Sequence, residues 1–304
     1  MAEPALPIRL IAIDIDGTLI DEDLVIGERT LAATAEAMRR GIAISLFTGR
    51  TATSAMPFAE ALGLTGPLVA QQGALIRAMP GPTSKGLGRL LYHRPLHPEV
   101  TVEIVRWCRE RDLVPHFNHL ERMIVGSDEQ RLEEYRYFVG DRLRIVSDVA
   151  VRARKPVTKV VAIGEGYHSL EVLEEGRAHF AGRAEVTLSH PRFLEFLAPG
   201  VSKGRAVRWL ARRLGIPLEQ SMAVGDQYND LEMISVVGHG VAMPSAPEAV
   251  RAAARFVAPP VGEEGTAQMI ERIALDGWRA PGGGPPGAEG AEGGAIRGVQ
   301  VERR

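Results

Sequence analysis

The strongest constraint on the fold of this chain is a recurring order of short apolar runs and segments with helical periodicity. Residues 9–15 and 42–47 form two nearly continuous apolar runs, and GERTLAATAEAMRRG between them places its apolar residues at helical spacing. Continuous apolar strands suit a parallel sheet that is covered on both faces. A strand, helix, strand order also requires right-handed crossover connections. The pattern therefore predicts an α/β fold with an open parallel sheet.

The middle of the chain departs from this order. The Gly- and Pro-rich segment MPGPTSKGLG leads into a region whose predicted hairpin, strands and helices indicate a separate α+β unit, and the first order returns after Pro191. We therefore expect a core domain formed by residues 1–85 and 190–279, with a cap domain inserted at residues 86–189. Residues 280–304 are rich in Gly, Pro and Glu, which predicts a disordered tail.

Chemically useful side chains follow three of the predicted core strands. They are Asp14 and Asp16 after the first run, Thr48 and Arg50 after the second, and Asp226, Asn229 and Asp230 after SMAVG. In an open parallel sheet, ligands bind outside the carboxyl ends of the strands. We therefore expect these distant residues to meet at one edge of the sheet.

The spacing of Asp14 and Asp16 directs both side chains to the same side of an extended strand. Two like charges at the end of a buried strand repel each other and resist desolvation. Asp226 supplies a further anionic oxygen. A few carboxylates together with water and a substrate phosphate form the all-oxygen ligand set that Mg²⁺ prefers. The acids therefore predict a magnesium site, because the cation offsets their repulsion.

Two further features indicate that the ligand is a phosphate. FTGR supplies the Thr48 hydroxyl and free backbone N–H groups at a strand-to-helix turn, and such a turn receives phosphate oxygens well. GVSKG places Lys203 at the start of a predicted helix that Ser202 caps. A cation lies there at the unfavourable end of the helix dipole, which makes sense if a bound anion is nearby.

The overall composition points to neither nucleic acid nor a membrane. The formal net charge is −2, no apolar stretch approaches the length of a membrane span, and MAEPALPIRL lacks the regions of a signal peptide. Cys108 is the single cysteine, so no internal disulfide is possible. These features predict a cytoplasmic protein.

Taken together, DIDGTL, FTGR, GVSKG and GDQYND resemble the four ordered motifs of the haloacid dehalogenase-like superfamily. The GDxxND form, the Lys-Gly segment, EEGTAQMI and the long insert between the second and third motifs are similar to its Cof-type phosphatases. The resemblance covers residues 8–80 and 190–275 approximately. It implies a Rossmann-like core with an inserted α+β cap, and a Mg²⁺-dependent phosphatase.

The resemblance also implies roles for the acids. Asp14 would attack the phosphoryl group and become an aspartyl-phosphate. Asp16 would protonate the leaving oxygen and then activate water. The side chains of Asp14 and Asp226 and the backbone carbonyl of Asp16 would hold Mg²⁺.

The remaining motif residues would bind the phosphoryl group or support its ligands. The resemblance implies that phosphoryl oxygens are bound by Thr48, the Gly49 amide and Lys203, with Asn229 beside them. Asp230 would orient the metal ligands or Lys203.

One departure from the family pattern lies in VAQQGALI, where these proteins usually read Asn-Gly-Ala. Gln72 replaces the asparagine, which keeps the amide but extends its reach by one methylene. Any substrate contact or turn cap at this position is therefore in question. Arg50 matches the usual position, and its role is either functional or purely structural.

The inserted cap is expected to close over the cleft and exclude water. Its hairpin sequence HFNHLER carries His116, Asn118 and Arg122, which are candidates for contact with the substrate. The alternative is that they are ordinary surface residues of the hairpin. The substrate itself is not readable from the cap sequence.

The interpretation that we favour is a Mg²⁺-dependent phosphohydrolase for small phosphate monoesters, such as sugar phosphates or phosphorylated cofactors, acting as a monomer or homodimer. A phosphomutase of the same superfamily differs only in passing the phosphoryl group to a second hydroxyl. A metal-dependent glycosyltransferase leaves Lys203 and GDQYND without a purpose. A non-enzymatic phosphate-ligand sensor is disfavoured because every expected catalytic residue is present.

Overall fold

The computed structural model describes residues 7–81, 86–163, 170–276 and 299–300. Its strands, in chain order, are β1 (Leu10–Ile13), β2 (Val25–Ile26), β3 (Ala43–Leu46), β4 (Leu68–Ala70), β5 (Leu75–Arg77), β6 (Leu90–His93), β7 (Val114–His119), β8 (Arg122–Gly126), β9 (Leu143–Val146), β10 (Lys159–Ile163), β11 (Glu185–His190), β12 (Phe193–Leu197), β13 (Ser221–Gly225), β14 (His239–Ala242), β15 (Phe256–Val257) and β16 (Val299–Gln300).

The α-helices of these residues are α1 (Glu28–Arg39), α2 (Ala52–Ala61), α3 (Pro98–Arg109), α4 (Leu132–Val139), α5 (Val149–Arg152), α6 (Leu170–His179), α7 (Lys203–Leu214), α8 (Leu231–Val236), α9 (Glu248–Ala253) and α10 (Gly265–Met269). A π-helix, Ile270–Leu275, continues α10. None of these described helices has the length and apolar content that a membrane crossing needs.

The central sheet is parallel throughout, in the order β15-β14-β13-β1-β3. Its strand β1 is buried on both faces. Ile11 and Ile13 pack in a cluster with residues of α1, α2 and α10, whereas Leu10 and Ala12 pack against α7 and α8. Helices therefore cover both faces of the sheet, and the predicted α/β, Rossmann-like fold is confirmed.

The predicted strand in PLVAQQGAL is present, but it belongs mainly to a second, antiparallel sheet. β4 pairs with β5, and β5 pairs with β6. Only a parallel bridge between Phe47 and Val69 joins β4 to the central sheet. The reason is the turn after β4, where Gln71, Gln72 and Gly73 have φ values of 48°, 60° and 93°. These left-handed residues reverse the chain within a few residues, and a parallel neighbour would require a long crossover.

A third sheet, of six strands, spans residues 114–197 in the order β11-β12-β10-β7-β8-β9. All of its pairs are antiparallel except β8 with β9, and the predicted hairpin of HFNHLER is confirmed. One face packs against α3 and α6. Pro191 lies in the hairpin turn between β11 and β12, so this sheet continues beyond residue 189, where the sequence placed the end of the cap. The cap also begins later than the predicted residue 86, because β6 pairs with β5 and Leu91 and Tyr92 pack against the core. We call residues 96–197 the cap below; the remaining predicted boundaries stay predictions.

The predicted tail at residues 280–304 lies almost entirely outside the described residues. Val299 and Gln300 are described, and as β16 they pair antiparallel with Ile26 and Val25. This pairing concerns two residues, and the predicted disorder of the tail stays a prediction.

Helix α1 receives its N-terminal cap from a distant part of the chain. Its N-cap residue, Gly27, has no side chain to accept a hydrogen bond. The carboxylate of Glu264 accepts instead from the backbone N–H of Thr30 at 2.7 Å, from the Thr30 hydroxyl at 2.9 Å and from the N–H of Arg29 at 3.4 Å. A carboxylate at this end of a helix is also favoured by the helix dipole. Glu264 therefore ties the EEGTAQMI segment to the first helix of the core.

We expect Glu264→Ala to lower the free energy of unfolding by about 1–2 kcal/mol, because the first turn of α1 loses the acceptor for its backbone N–H groups. Urea unfolding followed by far-UV circular dichroism measures the change. Glu263→Ala is the matched control, since Glu263 is the exposed neighbouring glutamate. Equal unfolding midpoints for the two variants would show that the capping of α1 by Glu264 contributes nothing to the free energy of unfolding.

Candidate active site

Side chains from three neighbouring segments meet at the carboxyl edge of the central sheet. Asp14 follows β1 and Asp226 follows the adjacent strand β13, while Lys203 opens α7, which packs on the same strands. The predicted cap of α7 is confirmed, because the Ser202 hydroxyl accepts from the N–H of Arg205 at 3.0 Å. Because α7 begins at Lys203, the side chain of Lys203 lies at the carboxyl edge of the sheet, where it contacts Asp14.

The ammonium of Lys203 binds two carboxylates at once. Its Nζ donates to Oδ1 of Asp14 at 2.6 Å and to Oδ1 of Asp230 at 2.7 Å. The second oxygen of Asp230 accepts from the backbone N–H groups of Asp226 and Gln227, at 3.0 and 3.1 Å. Asp230 therefore positions both Lys203 and the loop that carries Asp226.

Asp14, Asp226 and Asp230 each place one carboxylate oxygen within 4.8 Å of the others, and we call these three residues with Lys203 the acidic cluster. Burial first, and then the charges of neighbouring carboxylates, raise the pKa of Asp14 well above its ordinary value, although Lys203 opposes this. The same two causes raise the pKa of Asp226 to about 7. Burial alone would lower the pKa of Lys203, but Asp14 and Asp230 outweigh it and raise the pKa.

This charge balance fits a divalent cation. The acidic cluster sets three carboxylates against one ammonium, so its buried oxygens carry excess negative charge when ionised. Carboxylate oxygens are the donors that Mg²⁺ prefers. The residues present are therefore chemically suited to hold that ion.

Gly17 allows the loop after β1 to approach Asp226. Its φ is 74°, and a Cβ at this position would lie 2.5 Å from Oδ2 of Asp226. The adjacent Thr18 hydroxyl donates to Oδ1 of Asp226 at 3.4 Å. The glycine of DIDGTL is therefore required both by backbone conformation and by the space that the carboxylate occupies.

The Asp16 carboxylate lies outside the acidic cluster. It is 55% exposed and pairs with Arg50, whose Nε donates to Oδ2 at 2.8 Å while Nη2 contacts Oδ1. Arg50 also lies over the Phe58 ring, 5.1 Å from its centroid. The ion pair occupies both oxygens of the Asp16 carboxylate, and Asp16 is not one of the three acids grouped in the acidic cluster. The predicted contribution of its backbone carbonyl to metal binding stays a prediction.

The FTGR segment forms the loop between β3 and α2, as its sequence predicts. Thr48 is buried, and its hydroxyl accepts from the N–H of Arg50 at 3.1 Å. The carbonyl of Thr48 accepts from the N–H of Gln72 at 2.9 Å, which joins this loop to the turn after β4. Helix α2 begins after Thr51, whose side chain caps it. The loop is therefore held rigidly beside the acidic cluster.

Sequence reasoning missed two cap residues, Lys159 and Glu195, that reach this loop. Their side chains are 4% and 3% exposed, and Nζ of Lys159 lies 2.9 Å from Oε2 of Glu195. The same ammonium donates to the carbonyl of Gly49 at 2.8 Å. A signal was present, because each is the lone charged residue of an apolar strand, and such residues are almost never fully buried unless paired.

Gln72, which departs from the family pattern, joins the core to the cap. Its Oε1 accepts from Nδ2 of Asn229 at 2.9 Å, and its Nε2 donates to Oε2 of Glu195 at 3.1 Å. Asn229 therefore lies beside the FTGR loop, but its side chain binds another side chain in this structure.

The three predicted cap contacts do not share a face. Asn118 pairs in register with Lys159, so its side chain and that of His116, two residues earlier, project from the face that reaches Gly49. Arg122 pairs with His119 and lies on the opposite face. This geometry gives no support to a substrate contact by Arg122.

His116 is buried within the cap. Burial first, and then the nearby charge of Lys159, lower the pKa of its imidazole to about 3. The ring is therefore neutral at physiological pH, and its role beside a substrate is limited to hydrogen bonding or packing.

A crevice of about 380 Å³ lies between the core and the cap. Lys203, Asn229 and Gln72 line it on the core side, and Thr187 and Leu197 line it on the cap side. Its volume lies within the range of small-molecule sites.

Comparison with known proteins agrees with this architecture. The sequence matches the family of haloacid dehalogenase-like hydrolases over residues 11–270. HMP-PP phosphatase of Serratia proteamaculans (strain 568) is 29% identical over 244 residues, which cover 78% of this chain and 84% of that protein. Phosphatase YwpJ of Bacillus subtilis (strain 168) is 27% identical over 297 residues, covering 87% and 99%.

Solved structures show the same likeness. A haloacid dehalogenase-like hydrolase from Bacteroides thetaiotaomicron superposes with a TM-score of 0.71 at 28% identity, covering 88% of this chain and 99% of that one. The family match extends across the motif-bearing core segments and the inserted cap alike. The chain therefore belongs to the haloacid dehalogenase-like hydrolases and is a Cof-type phosphatase of that family.

Proposed function

We propose that this phosphatase hydrolyses small phosphate monoesters, such as sugar phosphates or phosphorylated cofactors, with Mg²⁺ and through an aspartyl-phosphate on Asp14. The observation that carries the proposal is the buried contact of Asp14 with Lys203, beside Asp226 and next to the Thr48 loop. It supports the proposal, because phosphoryl transfer requires a nucleophile, a cation and hydrogen-bond donors within one small region.

The reaction would consist of two displacements at one phosphorus atom. A carboxylate oxygen of Asp14 forms a P–O bond as the bond to the leaving alcohol oxygen breaks, and Asp16 gives that oxygen a proton. Water then attacks phosphorus and gives a proton to Asp16. This attack breaks the P–O bond to Asp14 and releases inorganic phosphate. Thr48, the Gly49 amide and Lys203 would bind the phosphoryl oxygens, with Asn229 beside them.

Mg²⁺, held by Asp14, Asp226 and the backbone carbonyl of Asp16, would draw negative charge off the phosphoryl group. Arg50 contacts both oxygens of the Asp16 carboxylate in this structure. The proposal therefore requires the Asp16 side chain to leave Arg50 before it can protonate the leaving oxygen.

The size of the crevice and the relatives named HMP-PP phosphatase support a small phosphorylated substrate. Cys108 is buried, and burial raises the pKa of its thiol to about 12, which argues against a cysteine nucleophile. Its free thiol is compatible with the proposed cytoplasmic location. A phosphomutase would need a second hydroxyl as acceptor, so release of inorganic phosphate without a co-substrate separates the two activities.

We expect Asp14→Asn to lower kcat for p-nitrophenyl phosphate by on the order of 10³-fold or more, because an amide is a poor nucleophile. Asp23→Asn, at an exposed aspartate outside the site, is the matched control. Circular dichroism checks that both variants fold. Turnover of Asp14→Asn at the parental rate would remove Asp14 as the nucleophile.

Chelation tests the metal. EDTA is expected to abolish phosphate release and added Mg²⁺ to restore it, because without the cation Lys203 alone offsets the three carboxylates of the acidic cluster. Full activity in metal-free buffer would contradict the proposed role of the carboxylates.

The raised pKa values of Asp14 and Asp226 predict how metal-free protein responds to pH. Between the ordinary carboxyl pKa of 3.8 and about 7, the folded state retains protons that the unfolded state has lost. The free energy of unfolding therefore falls as pH rises through this window.

Because Mg²⁺ binds the ionised carboxylates, we expect its addition to raise Tm more at about pH 8 than at about pH 5. Thermal unfolding with and without the ion measures this, and Asp226→Asn should reduce the difference. An equal increase at both pH values would argue against binding at these acids.

A further inference from the structure

Lys159 and Glu195 form a buried ion pair that cap stability alone does not explain. They lie on the neighbouring strands β10 and β12, with Nζ and Oε2 2.9 Å apart. Desolvating two charges costs about as much as their attraction returns, so apolar residues would stabilise the cap equally well. The position of the pair therefore calls for a role outside the cap.

The pair is directed at a peptide unit of the FTGR loop. Nζ of Lys159 donates to the carbonyl of Gly49, and the N–H of that same peptide unit, on Arg50, donates to the Thr48 hydroxyl. Because a peptide unit is planar, a cation that holds its carbonyl also fixes the direction of its N–H. Lys159 thereby orients the Thr48 hydroxyl without touching it.

Glu195 extends this contact to the other side of the site through Gln72. The Gln72 amide donates to Glu195 at 3.1 Å and accepts one hydrogen of Asn229 Nδ2 at 2.9 Å. The amide nitrogen of Asn229 carries two hydrogens, and only one of them is donated to Gln72. The second remains available for a phosphoryl oxygen. A Cβ at Gly49 would lie 2.5 Å from the Gln72 nitrogen, so the loop and this side chain are in close contact.

We propose that Lys159, Glu195 and Gln72 form a positioning relay between the cap and the phosphate site. When the cap lies against the core, this relay fixes the positions of the two phosphate-binding segments, at Gly49 and at Asn229. The proposal rests on the proposed function and names residues that act on its phosphate site. They are positioning residues, since they act through Thr48, Gly49 and Asn229.

The length of Gln72 makes this relay possible. Its backbone is held at φ 60°, and its N–H is bonded to the carbonyl of Thr48. From this fixed backbone position, the side chain reaches both the amide of Asn229 in the core and the carboxylate of Glu195 in the cap. An asparagine would end one methylene short and would bond at most one of these two partners. The departure from the family pattern at position 72 thereby gains a physical reason.

The first experiment is Gln72→Asn, assayed by phosphate release from p-nitrophenyl phosphate. We expect kcat/KM to fall about tenfold, because the hydrogen bond to the charged Glu195 or the one to Asn229 is lost. Glu103→Gln is the matched control. It removes a cap ion pair, to Arg183, on the helical side of the cap away from the loop.

A double-mutant cycle separates positioning from bulk stability. Glu195→Gln alone is expected to be slow, because Oε2 of Glu195 accepts from both Lys159 and Gln72, and a neutral amide binds the Lys159 ammonium less strongly. Gln72→Asn and Glu195→Gln weaken the same connection, so we expect their combination to be no more than about twofold slower than the slower single variant.

The outcomes are distinguishable. If the parental protein releases no phosphate, the proposed function is contradicted, and the relay is tested by hydrogen exchange instead. Glu195→Gln must then exchange the backbone N–H groups of Arg50 and Gln72 faster than Glu103→Gln does. If the parent is active, the relay is overturned when the single variants match the control, or when the losses of Gln72→Asn and Glu195→Gln multiply in the double variant.

Discussion

The site depends on one buried contact, the ammonium of Lys203 between the carboxylates of Asp14 and Asp230. An unpaired charge at this depth would be strongly destabilising, so each partner requires the others to be present. Lys203 lies at the start of α7, Asp14 after β1, and Asp230 after β13. The contact therefore joins three elements of the core at the point where a phosphoryl group would bind.

The arrangement of the core was predictable from the sequence because strand-end chemistry is a local signal. Continuous apolar runs predict parallel strands, and parallel strands place the residues that follow them at one edge. Asp14, Asp226 and Lys203 meet there as expected. The confirmed Ser202 cap belongs to the same class of inference, since a cap is set by a few neighbouring residues.

Contacts that depend on the meeting of distant side chains were not predictable. Arg50 contacts both oxygens of the Asp16 carboxylate, and this meeting of two side chains from different loops is not visible in the spacing of either motif. Lys159 and Glu195 gain meaning only when the cap lies over the Gly49 loop. The order of the core is expected to return after Pro191, yet Pro191 lies in the turn of the β11–β12 hairpin, and the pairing of these strands within the cap sheet is not visible in the local sequence.

The capping of α1 by Glu264, together with the pairing of β1 between β3 and β13, has a consequence for biosynthesis. A ribosome delivers the chain from its N-terminus, so β1 lacks one of its two neighbouring strands until residue 221 emerges. The cap sheet, complete by residue 197, contains mostly local pairings and can fold earlier. Assembly of the sheet edge that carries the acidic cluster is therefore a late event, reached only after the insert has been made.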